Sequence, residues 1–213
     1  MPAPVRVVLV HGTATSPAVW DRLVPYLEGY DVQTPQRPRT GDLVREADWL
    51  ADLARGSWLV GMSGGATLGL AVVAGGTPLA GAVLHEPAVG SLCPDLLAPV
   101  AAAFDRGGTQ GLARALYGDS WTPSMVETDD PTTAAELAMF REFEPGPPSA
   151  AAGEVVVTVG ASSPEPRHRA ARALAERWGY ATRPVPGAAH FAAWDHPQAF
   201  AGVVRAALTC ARA

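Results

Sequence analysis

The stretch Trp58-Leu59-Val60-Gly61-Met62-Ser63-Gly64-Gly65-Ala66-Thr67-Leu68 constrains the fold of this chain more than any other. Its first, apolar residues read as a buried strand, the run Ala66 to Val73 reads as an apolar helix, and Gly-x-Ser-x-Gly joins the two with almost no residues to spare. So tight a turn forces Ser63 into a strained backbone conformation. Gly61 and Gly65 are needed because a Cβ at either position would collide with the neighbouring strand and helix. The Ser63 hydroxyl is thereby pushed out at the carboxyl end of a sheet. It also sits at a helix N-terminus, where unpaired N–H groups favour developing negative charge.

The flanking sequence supplies the sheet. Val5 to Val10 is a β-branched and leucine run typical of a parallel strand buried on both faces, and it ends at His11-Gly12-Thr13. Ser16-Pro17 reads as a helix start, with Val19, Trp20, Leu23, Val24 and Leu27 spaced as an inward helical face that stops at Gly29. A short strand from Asp31 to Thr34 follows, then a turn-rich Pro35 to Gly41, and Asp42 caps a helix running to Ala54. Strands at Ser57 to Val60 and Gly81 to Leu84 come next, the second ending in His85-Glu86-Pro87. Strand Glu154 to Val159, helix Pro164 to Trp178, strand Tyr180 to Val185 and helix Pro197 to Cys210 complete the alternation. Crossover helices between parallel strands are the economical solution for such an order.

The expected fold is α/β, a three-layer α/β/α sandwich on a mostly parallel sheet of about six strands. One domain spans 1–213, a length that suits a single core. Between Gly90 and Gly153 the alternation breaks. Helical stretches at Pro94 to Arg106, Gln110 to Tyr117 and Thr132 to Glu144 are separated by Gly, Pro and acidic turns, with no convincing strand. Residues 91–153 therefore read as a small helical cap insertion at the end of the sheet where Ser63 points, and Pro145 to Gly153 as the hinge back.

Composition excludes several classes. No apolar run reaches the ~18 residues of a membrane span, and the N-terminus lacks a basic-then-apolar leader, so a cytoplasmic protein is expected. The formal charge is −5 and all sixteen basic residues are scattered arginines, which gives no stripe for nucleic acid. Cys93 and Cys210 lie far apart without a Cys-x-x-Cys or His-rich context and read as small buried apolar residues. Neither a metal site nor a nucleotide loop is visible, so no cofactor is expected. The oligomeric state is not legible.

A serine hydroxyl needs a base, and histidine titrates in the useful range. Of five histidines, His190 lies in Pro186-Gly187-Ala188-Ala189-His190-Phe191, just after the last strand. In a parallel sheet that loop emerges at the same edge as Ser63. His11 reads as shaping the turn beside Ser63, His168 and His196 as solvated, and His85 fits either a structural or a site role. The backbone N–H groups of Thr13 and Gly64 are the candidate oxyanion donors.

His-Gly-x after the first strand, Gly-Met-Ser-Gly-Gly and the late Gly-Ala-Ala-His-Phe together resemble the α/β-hydrolase superfamily, in the order nucleophile, acid, histidine. The similarity spans nearly the whole chain, although the leading antiparallel strands usual there have no counterpart in this reading. The resemblance implies Ser63 as nucleophile and His190 as base. It also implies an Asp or Glu after the strand Glu154 to Val159, where this chain has Gly160-Ala161-Ser162-Ser163-Pro164-Glu165 and Ser163 stands at the acid position. Glu86, at an alternative acid position of the superfamily, is the favoured substitute. Glu165 is the alternative, and Asp195 reads better as a helix cap.

Trp20, Met62, Phe191 and Trp194 flank the expected site, and the insertion adds Phe104, Leu116, Tyr117, Trp121, Met125, Phe140 and Phe143. An apolar pocket suits a small hydrophobic substrate. The leading expectation is a serine hydrolase of a small hydrophobic ester, thioester or lactone. A lyase or cyclase of polyketide-like metabolism using the same Ser-His pair, or a non-catalytic binding protein on the same fold, are the competing readings.

Overall fold

A computed structural model describes residues 3–126 and 128–210, the last of these for its backbone only. The expected burial of Cys210 therefore lies outside the described residues, whereas Cys93 is buried and free. Six strands form one sheet: β1 (Arg6–Val10), β2 (Asp31–Gln33), β3 (Trp58–Met62), β4 (Gly81–His85), β5 (Glu154–Gly160) and β6 (Ala181–Val185). Their order is β2-β1-β3-β4-β5-β6 and every neighbouring pair is parallel.

Successive side chains of a strand face opposite sides, so each of the central strands β1, β3, β4 and β5 feeds two cores. Val8, Val10, Leu59, Ala82, Leu84 and Val157 pack on one face with α1 (Leu43–Ala54), α2 (Gly64–Ala74) and, further along the chain, the helix Glu165–Trp178. Val7, Leu9, Val60, Met62, Val83 and Val156 pack on the other with the helix Pro197–Cys210 and the segment after β1. The result is an α/β/α sandwich, as expected from the alternation.

Between β4 and β5 the described residues contain α3 (Ala98–Tyr117) and α4 (Asp130–Glu142) and no strand. The helix Glu165–Trp178 is α5, Ala192–Asp195 is α6 and Pro197–Cys210 is α7. Backbone angles at Gly107 and Gly108 are non-helical, so α3 is two helices meeting at a kink, close to the break expected between Arg106 and Gln110. The Asp129 side chain accepts from the Thr132 N–H and starts α4 two residues before the expected Thr132.

One expected helix is absent. Residues 16–28 form two 3-10 turns, Pro17–Trp20 and Val24–Leu27, because Pro25 in mid-segment has no N–H and clashes with the preceding turn. The inward residues survive this change: Val19, Trp20, Leu23 and Leu27 are all buried.

A buried charge cluster ties α4 to the sheet. Arg37, in the loop after β2, places its guanidinium 2.7 Å from Glu46 of α1 and 2.5 Å from Glu136 of α4, with all three side chains fully buried. Burial pushes the Glu136 carboxyl up even beside Arg37 and Arg39.

Helix α2 starts immediately after β3 and crosses close to its neighbours. A Cβ at Gly61 would lie 2.6 Å from the Gly65 carbonyl oxygen, and a Cβ at Gly65 would overlap the Val10 carbonyl of β1. Backbone on both sides leaves no room to yield. Gly202, on the exposed side of α7, has nothing near its missing Cβ. Calorimetry is expected to show Gly65→Ala destabilising the protein by ~3 kcal/mol or more. Gly202→Ala is expected to stabilise by ~0.5–1 kcal/mol through helix propensity, a rise in Tm of ~2–4 °C. A Gly65→Ala protein melting with the wild type would contradict the close approach.

Candidate active site

Ser63 occupies the single-residue bend between β3 and α2 with φ 55° and ψ −120°, conformations that non-glycine residues seldom adopt. Its amide donates to the His85 carbonyl at the end of β4, which holds the bend against the sheet. Positive φ recurs at Ala14, Arg39 and Glu86, so the four such non-glycine residues among those described follow the carboxyl ends of β1, β2, β3 and β4. Strain gathered at one edge of a sheet is the usual mark of a functional site.

Glu86 and His190 meet at that edge. His190 Nδ1 lies 2.7 Å from Glu86 Oε2, in a region where both side chains are nearly inaccessible. A carboxylate only accepts, so Nδ1 carries the proton and Nε2 presents its lone pair. That Nε2 is buried and has no hydrogen-bond partner. Glu86 is held in turn from β5: Oε1 accepts from the Gly160 N–H at 2.8 Å and from the Ser163 hydroxyl at 2.5 Å. The serine at the expected acid position thus orients a carboxylate supplied by the neighbouring strand. Glu165 is exposed and pairs with Arg172, away from His190, and Asp195 is exposed at the end of α6.

Burial alone would raise the Glu86 carboxyl, but the His190 hydrogen bond and the charges of His85, His190 and Arg167 outweigh it and hold the group well below the usual carboxylate range. Burial, reinforced by Arg167, brings His190 down to about 4 despite Glu86. Glu86 offsets this only in part, because it divides its charge among His190, Arg167 and the donors of β5.

Two of the remaining histidines, His85 and His11, hold backbone in place. His85 Nε2 faces the Ala189 carbonyl at 3.3 Å and so must donate, while Nδ1 lies 3.0 Å from Thr158 Oγ1, which must then donate to it. His85 thereby pins the loop that carries His190. His11 accepts from the Arg37 N–H at 3.3 Å and lies 3.0 Å from the Gly12 carbonyl through Nδ1, which shapes the turn before Thr13. His168 is half-buried against the Ser163 carbonyl, and His196 is exposed.

Gly64 is the first residue of α2, so its N–H has no intrahelical acceptor. Thr13 stands beside it: a Cβ at Gly64 would lie 3.0 Å from Thr13 Oγ1. A pocket next to Ser63 is lined by Thr13, Gly64, Thr67, Glu86, Ala88 and Arg167 from the sheet side, and by Leu97, Val100, Leu112, Leu116, Leu137 and Phe140. Trp20, Met62, Phe191 and Trp194 do not line it. The first three are buried in the core beneath α7, where the 3-10 turns and the alternation of β3 direct them, and the Trp194 ring is covered by Arg22 at 4.1 Å.

A model of the α/β hydrolase family matches residues 7–203. The chain belongs to that family. No curated protein matches it by sequence. Among solved structures, this α/β hydrolase is similar to an enol-lactonase from Burkholderia xenovorans, at 19% identity and a TM-score of 0.72 over 98% of this chain and 92% of that one. It is also similar to a thermophilic esterase from Thermogutta terrifontis, at 20% identity and 0.72 over 100% and 92%. A third is the RedJ thioesterase of prodiginine biosynthesis in Streptomyces coelicolor, at 18% identity and 0.69 over 97% and 90%. At such identities the likeness is one of fold. Among the described residues of this α/β hydrolase no group of three or more His, Cys, Asp or Glu could hold a metal ion, and no helix is long and apolar enough to cross a membrane.

Two site neighbours escaped the sequence reading. Arg167, in the first turn of α5, carried no motif to reveal it. Tyr117, at the end of α3, was read only as one aromatic of the insertion. Its hydroxyl donates to the Thr13 carbonyl at 2.7 Å, its ring stacks on His190 with centroids 5.5 Å apart, and it is in polar contact with Ser63. Burial pushes its phenol up to about 12, so it stays a neutral donor. Trp121 Nε1 donates to the Ala14 carbonyl at 2.9 Å and anchors the same segment. Tyr117→Phe removes the donor from a buried carbonyl and is expected to cost ~1–3 kcal/mol. Thermal melts should register this as a loss of at least ~2 °C in Tm, and an unchanged melt would deny that the contact holds the segment down.

Proposed function

We propose that the protein is a cofactor-independent serine hydrolase acting on a small hydrophobic ester, thioester or lactone. The observation that carries this reading is the 2.7 Å hydrogen bond between Glu86 and His190, formed at the sheet edge where Ser63 is held in its strained bend. Ser63 would attack the carbonyl carbon as His190 Nε2 takes its proton, and Glu86 would keep that nitrogen unprotonated beforehand and stabilise the imidazolium afterwards. The N–H groups of Thr13 and Gly64 would donate to the oxyanion, an effect worth ~3–4 kcal/mol per donor. His190 would then protonate the leaving group, and water would release the acyl chain by the same steps in reverse order. The Ser63 hydroxyl, which contacts Tyr117, must first turn towards His190. Residues 91–153 would serve as the cap over this site, and solved relatives described as esterase, thioesterase and enol-lactonase agree with acyl transfer.

A non-catalytic reading would follow from the lack of an acid after β5, and the Glu86–His190 hydrogen bond speaks against it. A lyase or cyclase reading has one observation of its own: the unpartnered Nε2 of His190 is free to move a proton without any acyl-enzyme. A fluorophosphonate probe separates the possibilities. Labelling of Ser63 that is lost in Ser63→Ala and His190→Ala, with release of nitrophenol from a short ester, supports hydrolysis. Labelling with no turnover of any ester would favour proton transfer, and an inert Ser63 would remove both.

Glu86→Gln cannot hold the required tautomer and is expected to slow labelling by ~10³–10⁴. Glu165→Gln, at an exposed position, should stay within about twofold. Equal and small effects of the two would refute the assignment of Glu86.

The pH dependence carries a sign. Reaction requires neutral His190, whose pKa is lowered to about 4, so the labelling rate should be full at neutral pH and fall as the pH drops through about 4. A midpoint near the ordinary value of about 6.5 would contradict the buried, Arg167-influenced environment.

A further inference from the structure

Arg167 sits where a cation is costly. It is 9% exposed, and among the residues lining the pocket beside Ser63 it is the only cation. Leu97, Val100, Leu112, Leu116, Leu137 and Phe140 make most of the remaining wall. A guanidinium taken out of water loses several kcal/mol unless short bonds to an anion replace its hydration.

Arg167 lacks such bonds. Its Nε lies 3.5 Å from Glu86 Oε2 and its Nη1 is 3.4 Å from the Glu86 carbonyl oxygen, both long against the roughly 2.7–2.9 Å of a charge-assisted hydrogen bond. Its Nη2 has no protein acceptor among the described residues and, unlike Arg37 Nε and Nη1, is not sealed from solvent, so it is open to a ligand. Glu86 has little more to offer, because His190, Gly160 and Ser163 already occupy its oxygens. Burial lowers the pKa of Arg167 in spite of Glu86, in keeping with a charge left short of partners.

The side of the site follows from the proton path. A leaving group must reach His190, which does not line this pocket, whereas Thr13 and Gly64 do. The pocket with Arg167 is therefore the acyl side.

We propose that Arg167 is the receptor for a carboxylate on the acyl part of the substrate, so that the preferred substrates are half-esters or related monoacyl derivatives of short aliphatic dicarboxylic acids. This rests on the reading of Ser63 as nucleophile. The planar guanidinium presents Nη1 and Nη2 as a fork that matches a carboxylate, and the leucine-rich wall accepts the methylene chain between the two carbonyl carbons.

The test compares 4-nitrophenyl hemiglutarate with 4-nitrophenyl valerate, which match in length and differ in the terminal charge. The wild type is expected to favour the hemiglutarate by about tenfold or more in kcat/KM, chiefly through KM. Arg167→Met should bring that ratio to about one, and Arg167→Lys should retain part of it as a point charge without the fork. If Arg167 only supports Glu86, its replacement slows both esters alike and the ratio persists, which overturns the proposal. A wild type with no preference for the charged ester overturns it equally.

Binding supplies a readout independent of turnover. Glutarate should raise the Tm of Ser63→Ala and of Ser63→Ala with Arg167→Lys, and leave Ser63→Ala with Arg167→Met unmoved, while valerate should stabilise none of them comparably. Fluorophosphonate labelling without any glutarate effect would reject the anion site and leave the nucleophile standing. A glutarate effect without labelling would keep the anion site and reject the hydrolase reading.

Discussion

A carboxylate taken out of water governs the arrangement of this molecule. Glu86 is nearly inaccessible, and an unpaired charge there would be costly enough to disrupt the fold around it. Its oxygens are instead matched from four places in the chain: the end of β5 through the Gly160 amide, the loop beyond it through Ser163, α5 through Arg167, and the loop after β6 through His190. The same contacts that make the burial tolerable hold His190 in one tautomer. Stability and the proposed chemistry thus draw on one set of polar contacts.

The strained backbone lies around that carboxylate and would not persist alone. Ala14, Arg39, Ser63 and Glu86 have positive φ, each costing of order 1–3 kcal/mol, and each follows a strand whose hydrogen bonds to its neighbours fix the direction of the chain. The segment between β4 and β5 is joined to this edge by specific polar contacts. Tyr117 and Trp121 donate to carbonyls of the loop after β1, and Glu136 of α4 reaches Arg37 in the loop after β2. These bonds explain why so apolar a segment docks in one orientation. Hydrophobic contact has no direction, whereas an indole N–H, a phenol and a guanidinium do.

Several parts of this arrangement were legible before any coordinates. The β-branched run before His11, the Gly-x-Ser-x-Gly bend and the histidine after the last strand each state a local requirement, and parallel pairing then brings Ser63 and His190 to one edge. Glu86 was legible through the resemblance alone, as an alternative acid position of the superfamily. The helix expected over residues 16–28 failed for a local reason as well: Pro25 forbids it, and the inward spacing of Val19, Leu23 and Leu27 is served as well by two 3-10 turns. Composition says nothing of direction, and so could not tell which of the aromatic residues expected around the substrate face the core. Trp20, Met62 and Phe191 point into the core on the α7 side of the sheet.

The sequence by itself determined the layered α/β fold, the cramped bend that carries Ser63 and the loop after the last strand that carries His190, since each follows from residue types within a few positions of one another. Tertiary structure alone decided that Ser163 serves Glu86 in place of an aspartate, that Tyr117 touches both Ser63 and His190, that Arg167 enters the pocket, and that Arg37 gathers Glu46 and Glu136. Those partners lie on different strands and helices, and no spacing along the chain encodes them. They meet only because β4 lies beside β5 in one register and because helices from both halves of the chain cover the same sheet edge.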